Sequence, residues 1–164
     1  MSPAISASTV GNSAGAIATA AAAAVVLMLA LDVNAQTHEH APATEKLGTV
    51  AFATSCSPAA QAQFNRAVAF LHSFEFLRAI DAFGATLTTD PSCAMAHWGI
   101  AMNALGNPFA WPPSAKGLAD GWAAVEKAKA AGAKTQRERD YIAALEVFYK
   151  DAGTIDHRTR ALAY

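Results

Sequence analysis

Three stretches of the chain share one order of apolar positions: an aromatic, then Ala three residues on, then larger apolar side chains four and seven residues on. They are Phe64, Ala67, Val68 and Leu71; Trp98, Ala101, Met102 and Leu105; and Tyr141, Ala144, Leu145 and Phe148. Positions i, i+3, i+4 and i+7 lie on one face of an α-helix, so each stretch predicts a helix with a buried stripe. Between them, Phe76, Ala79, Ile80 and Phe83 form a second kind of stripe, and Leu118, Trp122, Val125 and Ala128 another. The pattern predicts an all-α chain.

Local signals set the ends of these helices. Ser57-Pro58 opens the first, because Ser caps well and Pro at the first helical position gives up no needed hydrogen bond. This helix runs to about His72, Ser73 marks a turn, and the second runs from about Glu75 to Thr88. Asp90-Pro91 ends it, a third covers about Ser92–Leu105, and Gly106-Asn107-Pro108 stops that. Ser114 caps a fourth, which runs to about Ala131 before Gly132. Thr135 and Glu138 form a capping box for a fifth that reaches about Lys150, with Glu146 and Lys150 spaced to pair. A sixth starts near Asp156 and reaches Tyr164.

The first two aromatic-led stretches are 34 residues apart at all four positions, and the third follows the second by 43. A 34-residue period is the mark of antiparallel helix-turn-helix repeats stacked as an α-solenoid. The longer interval places an insertion over Gly106–Pro113. The expectation is about two complete repeats and a partial third. The last helix carries no stop signal, so the sequence reads as the N-terminal part of a longer chain, its repeat domain truncated at the C-terminus.

Ala79, Phe83 and Pro91 stand at offsets of four and then eight, and Ala67 and Phe70 occupy two positions of the preceding helix. In these positions the chain resembles the tetratricopeptide repeat family, and Leu71–Met102 resembles the opening repeat of long exported bacterial members. The resemblance covers about residues 47–164, although Gln63 stands where the family prefers Trp. It implies a right-handed stack of helix pairs whose first helices line a concave surface that binds peptides or partner proteins.

The N-terminus is a separate object. Residues 1–31 contain no charged side chain, and residues 14–31 are an apolar run rich in alanine. Small or apolar Val33 and Ala35 predict a signal peptide over residues 1–35, cleaved between Ala35 and Gln36. The alternative is an uncleaved anchor over residues 14–31, since 18 residues reach the lower end of the membrane-spanning range. The chain is therefore expected to be exported, periplasmic or secreted, or else held in the inner membrane by that run. Residues 36–56 read as a flexible leader, with 49–54 a short extended piece tied down through Cys56. Residues 57–164 form the repeat domain.

The two cysteines, Cys56 and Cys93, are disulfide candidates in an exported chain, the alternative being two buried thiols. Without residues 1–35, the chain has 12 basic residues and, Asp32 being removed from 13 acids, 12 acidic ones. No basic cluster marks a nucleic-acid surface. Nor is there a GxSxG, an HExxH or a Gly-rich phosphate loop, so the chain reads as no enzyme and no cofactor is expected.

The expected function is a non-catalytic scaffold for a protein or peptide partner, touching a membrane only through its N-terminal segment if that stays uncleaved. The candidate contact residues are His72 and His97 on the first helices of the pairs, and Phe109 and Trp111 in the insertion. Prolines 108, 112 and 113 would stiffen that loop and lower the entropy cost of binding. A second reading is an envelope protein handling metal or small ligands through the His38-Glu39-His40 leader and the groove, with His38 and His40 as metal candidates. A third is an enzyme whose active site lies in a missing C-terminal part.

Overall fold

A computed structural model describes residues 46–164. The expected cleavage point Ala35–Gln36, the apolar run 14–31 and the histidines His38 and His40 lie outside the described residues. Within them are six α-helices: α1 (Pro58–His72), α2 (Phe76–Thr89), α3 (Ala94–Ala104), α4 (Ala115–Ala131), α5 (Gln136–Tyr149) and α6 (His157–Ala163). A single 3-10 turn, Pro108–Ala110, lies in the insertion, and the described residues contain no strand. The chain is all-α over this span, as expected.

Each helix packs on the next in the chain, and α3 also touches α1 and α5. That position explains the composition of α3, AMAHWGIAMNA, which has almost no polar face because neighbours cover it on several sides. Phe64 of α1, Phe83 of α2 and Phe148 of α5 are fully buried, each stabilising by about 2–3 kcal/mol through removal from water. Two glycines let helices approach closely. A Cβ on Gly99 would sit 2.2 Å from the Phe83 ring, and one on Gly121 would sit 2.1 Å from the Tyr149 ring.

The end of α3 is closed by side chains from elsewhere. A helix C-terminus leaves its last carbonyls without intrahelical partners. Here the Tyr149 hydroxyl donates to Ala101 O at 2.7 Å, and the Trp111 indole N–H donates to Leu105 O at 3.0 Å. Arg160, almost fully buried, closes α5 in the same way by donating to Phe148 O.

Several local expectations need correction. Helix α3 starts at Ala94 rather than Ser92, because the Asp90 carboxylate accepts from the N–H and hydroxyl of Ser92 and holds a turn there. Ile80, expected to face inward, is 41% exposed, since Ala79, Phe83 and Thr86 already fill the narrow strip that α2 buries. Glu146 does not pair with Lys150; it reaches across to Lys129 of α4 at 2.7 Å. The Thr135–Glu138 capping box is present, both hydrogen bonds included.

Cys56 and Cys93 form a disulfide with a Cα–Cα distance of 4.8 Å, joining the entry to α1 to the entry to α3 across 37 residues. A loop of that length stabilises by about 4 kcal/mol if the effect is constraint of the unfolded chain. Ahead of it, residues 46–56 have no regular secondary structure, and Leu47, Val50 and Phe52 pack against the core.

Candidate functional site

The α1–α2 turn is where local backbone chemistry departs most from what its residues prefer. Glu75 N–H bonds to Phe70 O at 3.0 Å and Phe74 N–H bonds to Leu71 O at 3.2 Å. This is the Schellman arrangement, whose left-handed residue is usually glycine. Here it is Phe74, at φ 61°. A bulky side chain in that region costs on the order of 1–2 kcal/mol. In return the ring is presented at the surface, 53% exposed, where Phe109 stacks on it with centroids 6.3 Å apart. Phe109 is 89% exposed and is held by the Asn107 side chain, which accepts from its backbone N–H.

Beside this aromatic pair lies a cleft of about 270 Å³, with Leu71, Phe76, Met102 and Leu105 among its apolar walls and His72, Trp111 and Tyr164 at its margins. The Tyr164 hydroxyl donates to Met102 Sδ at 3.5 Å, and burial raises its phenol above the ordinary value. Apolar walls with a few polar groups at the edge suit an apolar side chain of a ligand.

Three of the four residues expected to contact a partner, His72, Phe109 and Trp111, thus meet at one end of the helices. Their roles differ. Phe109 is free surface. Trp111 is half-buried, donates to Leu105 O and packs on Phe148 and His157 at 5.6 and 5.3 Å, so it builds the wall. His97 is not among the residues lining the cleft; it is half-buried on α3, and burial, aided by the Lys127 charge, lowers its pKa. No group of three or more His, Cys, Asp or Glu among the described residues is placed to hold a metal. The sequence reading did not single out Phe74, and its signal was a large residue where a helix end favours glycine.

Among the described residues no helix is long and apolar enough to cross a membrane. Compared with protein-family models, with curated proteins and with solved structures, the chain finds no match in any of the three.

Proposed function

We propose that this chain is a non-catalytic scaffold of the tetratricopeptide-repeat type, exported to the cell envelope, that binds a protein or peptide partner at the cleft beside Phe74 and Phe109. One observation carries the reading. A phenylalanine occupies a backbone conformation that favours glycine, and the result is an exposed aromatic pair at the mouth of an apolar cleft. Strain kept at a surface position is a pointer to function, and this ring stays 53% exposed although it packs edge-on to Phe76 with centroids 6.0 Å apart. Aromatic residues, phenylalanine among them, are enriched at the cores of protein interfaces relative to the rest of the surface.

Helices packed in series support the repeat reading, and the Cys56–Cys93 disulfide supports an oxidising compartment outside the cytosol. The partner segment this surface suits carries one large apolar side chain for the cleft and a flat or aliphatic neighbour for the Phe74–Phe109 pair.

A photo-activatable phenylalanine analogue placed at Phe109, with Leu77 as an equally exposed control on α2, tests the reading in cells. A discrete protein adduct at Phe109 and none at Leu77 supports it. The same adducts at both positions, or none at either, rejects the cleft as a partner site.

A further inference from the structure

The walls of the cleft contain one side chain whose polarity a common oxidant can change in place. Of the four methionines, Met1 and Met28 precede the described residues. Met95 is 1% exposed and sits in the core, closed to a solute. Met102, further along the same helix α3, is partly buried and lines the cleft beside Leu71, Phe76 and Leu105. Its thioether is soft and polarisable, and oxidation turns such a flexible apolar side chain into a polar one.

The step is an oxygen transfer from hydrogen peroxide. The Sδ lone pair forms an S–O bond to one peroxide oxygen as the O–O bond breaks. The hydroxide that leaves takes the proton of the transferred oxygen and departs as water. Sulfur loses an electron pair and the peroxide gains it, and the product is the sulfoxide. A thiol-dependent reductase reverses the change: two thiols become a disulfide, and the oxygen leaves as water.

The surroundings give that product a consequence. The Tyr164 hydroxyl already donates to Met102 Sδ at 3.5 Å. A thioether is a weak acceptor. A sulfoxide oxygen carries much of the negative end of its S–O dipole and takes the same proton more strongly. The donor is part of the fold, since Tyr164 is the C-cap of α6 and its ring packs edge-on to Phe148 of α5 with centroids 5.9 Å apart. The rest of the wall is hydrocarbon. A sulfoxide among Leu71, Phe76 and Leu105 must shed water when an apolar group enters, and that group offers no hydrogen bond in return.

We propose that Met102 is an oxidation site and that its sulfoxide, held by Tyr164, closes the cleft to an apolar ligand until it is reduced again. This regulation rests on the reading of the cleft as a partner site, and the two are tested by different readouts.

For the site, hydrogen peroxide is added to the whole chain with its disulfide intact, and the digested peptides are weighed by mass spectrometry. Met102 is expected to gain oxygen at least about tenfold faster than Met95, and the two rates are expected to converge in urea. Equal rates in the folded chain overturn the proposal. For the switch, the protein adduct formed at Phe109 is compared before and after peroxide. Its yield is expected to fall at least about tenfold on oxidation and to return after treatment with methionine sulfoxide reductase. In Met102→Leu, whatever the starting yield, peroxide is expected to leave it unchanged. An adduct that survives complete oxidation of Met102 overturns the switch, as does an equal loss in Met102→Leu. So does a loss of helical circular dichroism in the oxidised wild type, because the adduct then falls through unfolding. An adduct absent before any peroxide rejects the partner reading and the switch with it, while the rates at Met102 and Met95 still decide the oxidation site.

Discussion

Phe52 stacks on Trp98 with their ring planes 6° apart and their centroids 5.6 Å apart, although the two residues belong to an irregular segment and to the central helix. The contact ties the entry of the chain to the helix that touches four of the others. Its removal should be felt globally. Because Phe52 is only half-buried, Phe52→Ala is expected to destabilise by about 2 kcal/mol, below the range for a fully buried phenylalanine. Urea unfolding followed by far-ultraviolet circular dichroism measures it, and an unchanged midpoint would show that the segment adds nothing to stability.

Gly99→Ala sets two effects against each other. In an exposed helix interior the change stabilises by about 1 kcal/mol. At this position the new methyl would lie 2.2 Å from a ring that is fully buried and has nowhere to go. Overpacking of that kind costs roughly 1–3 kcal/mol, so the net expectation is a loss of stability. A rise in thermal midpoint for Gly99→Ala would mean that α2 and α3 pack less closely than described.

Acid should weaken the contacts that Glu138 and Asp90 make with the N-terminal segment and with the starts of α5 and α1. Burial alone would raise the Glu138 carboxyl, but the Ser55 and Thr135 hydrogen bonds outweigh it and hold the group below its ordinary 4.5. Asp90 is likewise held below 3.8, chiefly by the Ser57 N–H and then by the Ser92 hydroxyl. A depressed carboxyl contributes stability that is present above the unfolded value and is lost as pH falls through the folded one. Stability is therefore expected to fall as pH drops below about 4, and less steeply in Glu138→Gln. Urea midpoints taken from about pH 7 to about pH 3 check this, and parallel curves for the two chains would remove Glu138 from the account.

Much of this fold is legible in the residues and part of it is not, for physical reasons. The helix starts after Ser114 and after Thr135 follow from side chains that bind backbone N–H groups locally, and the start at Pro58 follows from a proline at the first helical position, Ser57 making no side-chain cap; such local chemistry is what a sequence displays. The disulfide followed from an even cysteine count in a chain read as exported. Three features depend on distant residues. Glu146 chose Lys129 over Lys150 because α4 lies alongside α5. Ile80 turned outward because Ala79, Phe83 and Thr86 had taken the buried strip. Phe52 found Phe64, Trp98 and Tyr141 only after three helices had been brought together. At the cleft, Phe109 and Trp111 stood out as aromatics between prolines. Phe74 did not, because its left-handed conformation is set by the turn and not by the residue's own preference.

The most direct measurement is partner retention by Phe74→Gly, made on the same preparation as its thermal midpoint. Glycine relieves the left-handed strain, so the variant is expected to be at least as stable as the wild type, by up to about 1 kcal/mol. It also deletes half of the aromatic pair. The account predicts a well-folded chain that no longer retains the protein adduct formed at Phe109. A Phe74→Gly chain that keeps its partner at the wild-type level would contradict the cleft as the binding site.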